Sequence, residues 1–143
     1  MFTLQETPID PMKLRNSNTD YANGAFVCFE GIVRADEIKG SSVHSLLYIA
    51  DSDACRREGK KIITETLSLF PITEAICVQR IGQLNLGETA IWIGVSSPHR
   101  DEAFKACRHI IEEVKKRLLI WKKEFLNDGS SVWAHGTQTP RIQ

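Results

Sequence analysis

The sequence predicts an α+β fold in which helices pack against a mainly antiparallel sheet. Three observations carry that expectation. Residues 24–34 and 43–50 read as strands joined directly, and so do residues 73–81 and 89–97. Direct strand-to-strand connections mark antiparallel pairing, because parallel neighbours need a long crossover. Each pair is followed by a helical pattern with an apolar stripe, which gives the order β-β-α-β-β-α behind a weak N-terminal helix. The 143 residues fit one domain able to bury a core, spanning 1–143 with residues 1–20 and 127–143 as peripheral segments.

In chain order, Asp10 caps a short helix with Pro11 beside it. Residues 16–23 are polar and turn-like. Residues 24–34, GAFVCFEGIVR, are rich in aromatic and β-branched types, and alternation puts Phe26, Cys28, Glu30, Ile32 and Arg34 on one face. Gly31 within the run signals a bulge or a close backbone approach. Residues 35–42 read as a polar loop and residues 43–50, VHSLLYIA, as the second strand. Asp51 or Ser52 caps a helix that runs to Leu69 and is ended by Pro71. Arg56, Arg57, Lys60 and Lys61 on it form a solvated basic band. A third strand, a connection over residues 82–88 and a fourth strand follow.

Residues 96–124 then read as one long helix. Ser97 serves as N-cap, Pro98 takes the first helical position, and Asp101 and Glu102 suit the positive end of the helix dipole. Ala103, Phe104, Cys107, Ile110, Ile111, Val114 and Leu118 make its core-facing stripe. Beyond Glu124 the chain turns polar, and residues 132–134 add a short edge strand.

Bulk properties narrow the function. Eighteen basic residues balance eighteen acidic ones, which argues against general nucleic-acid binding. No apolar run approaches the ~20 residues of a membrane span, and the N-terminus has no signal-peptide pattern. The cysteines at 28, 55, 77 and 107 form no C-x-x-C pair. They read as buried free thiols in a reduced, cytoplasmic compartment. His44, His109 and His135 show no metal-ligand spacing, so no metal and no cofactor is assigned.

The chemistry-bearing residues sit at the two ends of the 96–124 stretch. His99 and Arg100, over the free N–H groups of a helix start, suit a phosphate or carboxylate. Lys115, Lys116 and Arg117 near the other end complement the dipole, and Lys115 borders the apolar stripe. An amine there that is partly desolvated, or crowded by other cations, has a lowered pKa and suits proton transfer or nucleophilic work. Trp121, Lys122 and Lys123 follow. A helix of ~20 residues is about 30 Å long, so one helix cannot bring both clusters to one small molecule. Either the chain folds back after Leu118, or a neighbouring subunit supplies His99 and Arg100; the second is the expectation.

VSSPHR (residues 95–100), AFKAC (103–107), K-K-x-L-L-I-W-K-K-E (115–124), GAFVCFEGIVR (24–34) and RIGQLNLGE (80–88) together resemble the catalytic large subunit of molybdopterin synthase. The resemblance covers residues 20–126. It implies an α/β-hammerhead type of α+β fold, a homodimer of large subunits, and a heterotetramer with a small ubiquitin-like sulfur-carrier subunit. That partner's thiocarboxylated C-terminal tail enters the large subunit, and sulfur passes to cyclic pyranopterin monophosphate to build the dithiolene of molybdopterin. By motif, Lys115 and Lys122 correspond to the catalytic lysines. Val33, Arg34, His99, Arg100, Lys123 and Glu124 correspond to substrate-binding positions. The chain departs from the family pattern at Ile32, often lysine, at Gln79, commonly histidine, and at Leu119, often proline. The rival to a sulfurtransferase is a non-catalytic dimeric module that holds a ubiquitin-like tail or a small anion.

Overall fold

The computed structural model describes residues 1–17 and 20–134. His135 and the rest of the C-terminal peripheral segment lie outside the described residues. The elements run β1 (Phe2–Gln5), α1 (Pro11–Arg15), β2 (Ala25–Ile32), β3 (Glu37–Ile38), β4 (Ser41–Ala50), α2 (Ser52–Leu69), β5 (Glu74–Arg80), β6 (Gly82–Asn85), β7 (Thr89–Ser97), α3 (Arg100–Arg117), β8 (Ile120–Leu126) and β9 (Ser131–Trp133).

Two sheets result. The first has the order β1-β5-β7-β2; the second has the order β3-β4-β8-β9, with β6 also paired to β4. Among the described residues every pairing is antiparallel except that of β1 with β5, so the α+β expectation holds. Helices α2 and α3 cover one face of the first sheet. Ile62 and Ile63 from α2 and Ala103, Ala106, Ile110 and Val114 from α3 bury against Phe2, Leu4, Cys77, Ile91, Ile93 and Val95. Trp92, Ile76 and Val78 fill the opposite face under Leu14 of α1 and Phe26 of β2. With both faces covered, β7 is buried from Ala90 to Ser97, which is why its sequence is a continuous apolar run rather than an alternation.

The caps follow local chemistry. Asp51 accepts from the Ala54 N–H at 3.1 Å and Asp10 from the Lys13 N–H at 3.2 Å. At Gly31 the register shifts against β7, and a Cβ there would lie 2.7 Å from Ile91 Cγ2. The glycine thus answers both readings of its position, bulge and close approach.

Several expectations are corrected. Helix α3 begins at Arg100 with His99 as its N-cap and no side-chain cap bond, so Pro98 stands outside the helix. Ser96 and Ser97 are instead the buried end of β7. The helix also stops at Arg117, with Leu118 in extended backbone. Residues 119–124 therefore do not extend it: Ile120–Leu126 is β8, paired along β4 from Ala50 to Val43. An isolated helical pattern loses here to a ten-residue strand offering a full ladder. Phe104 is not in the stripe but 61% exposed, and Cys28 is exposed, while Cys55, Cys77 and Cys107 are buried. Strand β6 occupies the 82–88 connection and β3 lies within the 35–42 loop. Strand β1 falls in the N-terminal segment read only for its helix.

Candidate active site

The break after Leu118 builds the site. Asp51 N–H donates to the Leu119 carbonyl at 3.1 Å, which ties the turn to the start of α2. Strand β8 then returns along β4, with Lys122 opposite Tyr48 and Glu124 opposite Leu46. The two-residue period puts Lys122 and Glu124 on one face of β8 and Lys123 on the other. That first face looks into a cavity of about 350 Å³, bounded by β4, the end of β2, β7 and the last turn of α3. Lys115, Lys122, Glu124, Val33, Arg34 and Tyr48 all line it. Six of the residues singled out by sequence or structure thus meet within one chain.

Electrostatics differ sharply across this small space. Burial lowers the Lys115 pKa from its ordinary value, and the charge of Lys122 lowers it further. Lys115 is nonetheless an exposed residue at the cavity mouth, so solvent tempers that lowering. Lys122 Nζ stands 3.8 Å from Glu124 Oε1. Glu124 is 7% exposed, and its Oε2 is buried with no hydrogen-bond partner among the described residues. Burial, and then the Glu124 charge, push the Tyr48 phenol up to about 12.

The wall that carries Val33 and Arg34 is held from behind. Val33 N–H donates to the Glu88 carbonyl at 3.0 Å, and Gly87 N–H donates to the Val33 carbonyl at 2.8 Å. Glu88 in turn accepts from buried Arg80 at 3.0 Å and from the Asn85 N–H at 2.6 Å. The Asn85 N–H, with Arg80 adding to it, holds the Glu88 carboxyl below its ordinary range. The RIGQLNLGE run is therefore a brace for the cavity wall. Val33 itself is buried in the second sheet's core, whereas the Arg34 side chain is 83% exposed with its Nε 2.8 Å from Asp36 Oδ1.

A second cavity, of about 490 Å³, shares Arg34, Asp36 and Glu124 with the first. It runs between Ile38 and Lys39 on one side and Val132, Trp133 and Ala134 on the other. The two adjoining cavities open the site toward the β3 and β9 edges of the second sheet.

Three candidates lie elsewhere. His99 and Arg100 are exposed at the far end of α3, and neither lines the cavity. The fifteen residue-to-residue steps from Arg100 to Lys115 span about 22 Å at 1.5 Å each. Of the two options for the long stretch, the fold-back after Leu118 is realised, and it returns Trp121 and Lys122 while His99 and Arg100 remain remote within the chain. Lys123 faces away from the cavity, its Nζ 5.7 Å from the Phe125 ring centroid and 5.6 Å from that of Trp133. Of the departures from the family pattern, Ile32 lines the cavity, but Gln79 is buried outside it and donates to the Arg80 and Ala90 carbonyls at 2.9 and 3.2 Å.

Sequence reasoning missed Tyr48. Its only signal was a polar aromatic in an otherwise aliphatic strand, and its place beside Lys122 depends on a β4–β8 register invisible while β8 reads as helix. No helix of the described residues is long and apolar enough to cross a membrane.

Comparison with known proteins follows the same lines. A family model described as MoaE protein matches residues 4–117. The molybdopterin synthase catalytic subunit of Pyrococcus abyssi is 43% identical over 115 residues, covering 80% of this chain and 76% of that protein. Among solved structures, molybdopterin synthase from Staphylococcus aureus superposes with a TM-score of 0.86 at 34% identity, over 93% of this chain and 96% of that one. A complex of subunits 1 and 2 of molybdopterin-converting factor from Helicobacter pylori matches with a TM-score of 0.77 over 97% of this chain and 93% of that one. At 18% identity this last likeness is one of fold.

Proposed function

The chain belongs to the MoaE family of molybdopterin synthase catalytic subunits, and from that premise we propose a specific division of labour in its cavity. The protein is a sulfurtransferase of molybdenum cofactor biosynthesis. Sulfur passes from the thiocarboxylated C-terminus of a small ubiquitin-like subunit to cyclic pyranopterin monophosphate, and two such transfers build the dithiolene. In each, sulfur leaves the carrier's acyl carbon and a water oxygen takes its place, so the tail ends as a carboxylate.

The observation that carries the reading is the meeting of Lys115 and Lys122 in one partly desolvated cavity. Lys115, with its lowered pKa, is the group that moves protons or forms a transient covalent link. Lys122 stabilises negative charge at the acyl carbon as sulfur leaves. Arg34 at the cavity rim, with Val33 shaping the wall beside it, faces the anionic end of tail or substrate. The adjoining cavity between β3 and β9 is the route for the tail, because an extended chain there meets Arg34 and Glu124 before reaching the lysines. Glu124 contacts substrate directly. Lys123, turned to the outer face, acts at most on the tail's approach.

His99 and Arg100 are supplied by the second large subunit of a homodimer, so that phosphate binding and sulfur chemistry sit on different chains. With one small subunit per large subunit the assembly is a heterotetramer. Three buried free thiols suit a cytoplasmic setting. The departure from the family pattern at Gln79 does not favour the non-catalytic alternative, since Gln79 is a packing residue outside the cavity.

The test is Lys115→Ala, mixed with thiocarboxylated partner and pterin precursor, with dithiolene product read by mass spectrometry. The variant is expected to fold and to bind its partner while forming no product. Turnover near that of the wild type would remove Lys115 from the mechanism.

A further inference from the structure

A pocket built only for anions has no use for a buried carboxylate, yet Glu124 is 7% exposed and lines this one. Its nearest cation, Lys122 Nζ, stands 3.8 Å from Oε1, beyond hydrogen-bond length. Its Oε2 is buried with no partner at all among the described residues. An unpaired buried acceptor is a standing cost to the fold, one that a ligand's donor removes. The Tyr48 hydroxyl is the second polar group in the same cavity: it makes no hydrogen bond to the described residues, and unlike Glu124 Oε2 it is open to the cavity's solvent. Tyr48 stands opposite Lys122 across β4 and β8, one diagonal step from Glu124, within reach of long side chains on one sheet face. Gly82 of β6 stands opposite Tyr48 on the other side of β4 and brings no side chain of its own to that position.

The two groups differ in what they offer. Glu124 provides acceptors only, whereas a neutral phenol provides a donor. Burial and the Glu124 charge keep Tyr48 protonated well above neutral pH. Together they show a ligand an acceptor beside a donor. A phosphate, which is anionic and rich in acceptors, is the wrong complement for Glu124. A flat heterocycle edge with adjacent N–H donors next to a ring carbonyl is the right one. On the sulfur-transfer reading above, the substrate carries such an edge on its pterin ring.

We propose that Glu124 and Tyr48 bind the aminopyrimidinone edge of the pterin, Glu124 accepting from its N–H groups and Tyr48 donating to its ring carbonyl. The assignment orients the substrate. The pterin end sits on the β4–β8 face, and the phosphate end points out of the cavity toward cations supplied elsewhere. It also gives Tyr48, a residue without a part in the sulfur chemistry, a role in substrate specificity.

The test separates the two ends of the substrate. The probes are 6-hydroxymethyl-7,8-dihydropterin, which has the ring edge and no phosphate, and inorganic phosphate, each titrated calorimetrically into the dimer with its small subunit. Glu124→Gln is expected to weaken dihydropterin binding about tenfold, the loss of a charge-assisted hydrogen bond, and Tyr48→Phe about fivefold, the loss of a neutral one. Phosphate binding is expected to stay unchanged in both, and Tyr48→Phe is expected to raise KM with kcat near wild type. Wild-type turnover with unaltered dihydropterin affinity in both variants overturns this assignment and leaves the sulfur-transfer reading standing. Wild-type protein that forms no dithiolene overturns that reading and this assignment with it.

Discussion

Lys115 shows how one residue's environment changes the proton affinity of a common side chain. It follows Val114, the last deeply buried residue of α3, and so leaves the core at the helix edge with its amine over the cavity. Desolvation, and then Lys122, disfavour its charged form. The folded protein therefore holds the Lys115 proton less tightly than the unfolded chain does. Below the depressed pKa both states are protonated and the penalty of charging a partly buried amine is present in full. As pH rises from there toward the ordinary value of 10.5, the folded state releases its proton first and the penalty is relieved. Replacing Lys115 by Met is thus expected to stabilise the fold at neutral pH, with a gain that shrinks as pH climbs. Urea midpoints of wild type and variant across that range provide the check. A gain that is constant, or that grows with pH, would show that Lys115 is not charged at a cost in the folded state.

At the scale of elements, what was legible depended on whether the signal was local. Strand β7 was legible to the residue because a continuous apolar run between Glu88 and Pro98 has clear ends, and α2 because Asp51 and Pro71 punctuate it. Strand β8 was not, because Leu118, Leu119 and Ile120 continue the apolar spacing of α3 and only long-range pairing with β4 decides against a helix. The site followed the same division: motif similarity found Lys115 and Lys122, while Tyr48 needed the register. Strand β1 was missed for its length, since four residues with two buried side chains, Phe2 and Leu4, give no pattern. Its trace in the sequence is Gly59 in the middle of α2. A Cβ there would run into the Phe2 ring, so the helix gives up side chain and propensity to let β1 pass. Gly59→Ala, worth about 1 kcal/mol of stabilisation in an exposed helix, is expected instead to destabilise by about 1–3 kcal/mol through overpacking. In a Phe2→Ala background the same change is expected to become neutral or stabilising. A thermal-melt double-mutant cycle reads the coupling, and simple additivity would mean that Phe2 does not set the space at Gly59.

For the whole molecule, the decisive fact is that α3 holds its two cationic ends about 22 Å apart. Lys115 opens into the cavity, while His99 and Arg100 stand exposed at the other end, with no hydrogen bond or ion pair from their side chains among the described residues. A rigid helix buried along one side by Ala103, Ala106, Ile110 and Val114 cannot bend to close that gap. If both ends act on one substrate, a two-fold dimer must bring the His99–Arg100 end of one chain to the Lys115 end of the other. The arrangement has a consequence that a site within one chain lacks. Lys115→Ala and Arg100→Ala, each deficient alone, place their defects in the same composite site of a mixed dimer and leave the second site intact. Random reassortment makes half the dimers mixed with one good site of two, so about a quarter of wild-type activity is expected to return. Co-expression of differently tagged variants, tandem purification and a dithiolene assay provide the measurement. Recovery of about a quarter in the unfractionated mixture, and about half in the purified mixed dimer, would fix His99 and Arg100 on the partner chain. Activity no higher than that of the variants alone would place Lys115 and Arg100 in service of one chain's own site, and the long reach of α3 would then require a different substrate pose.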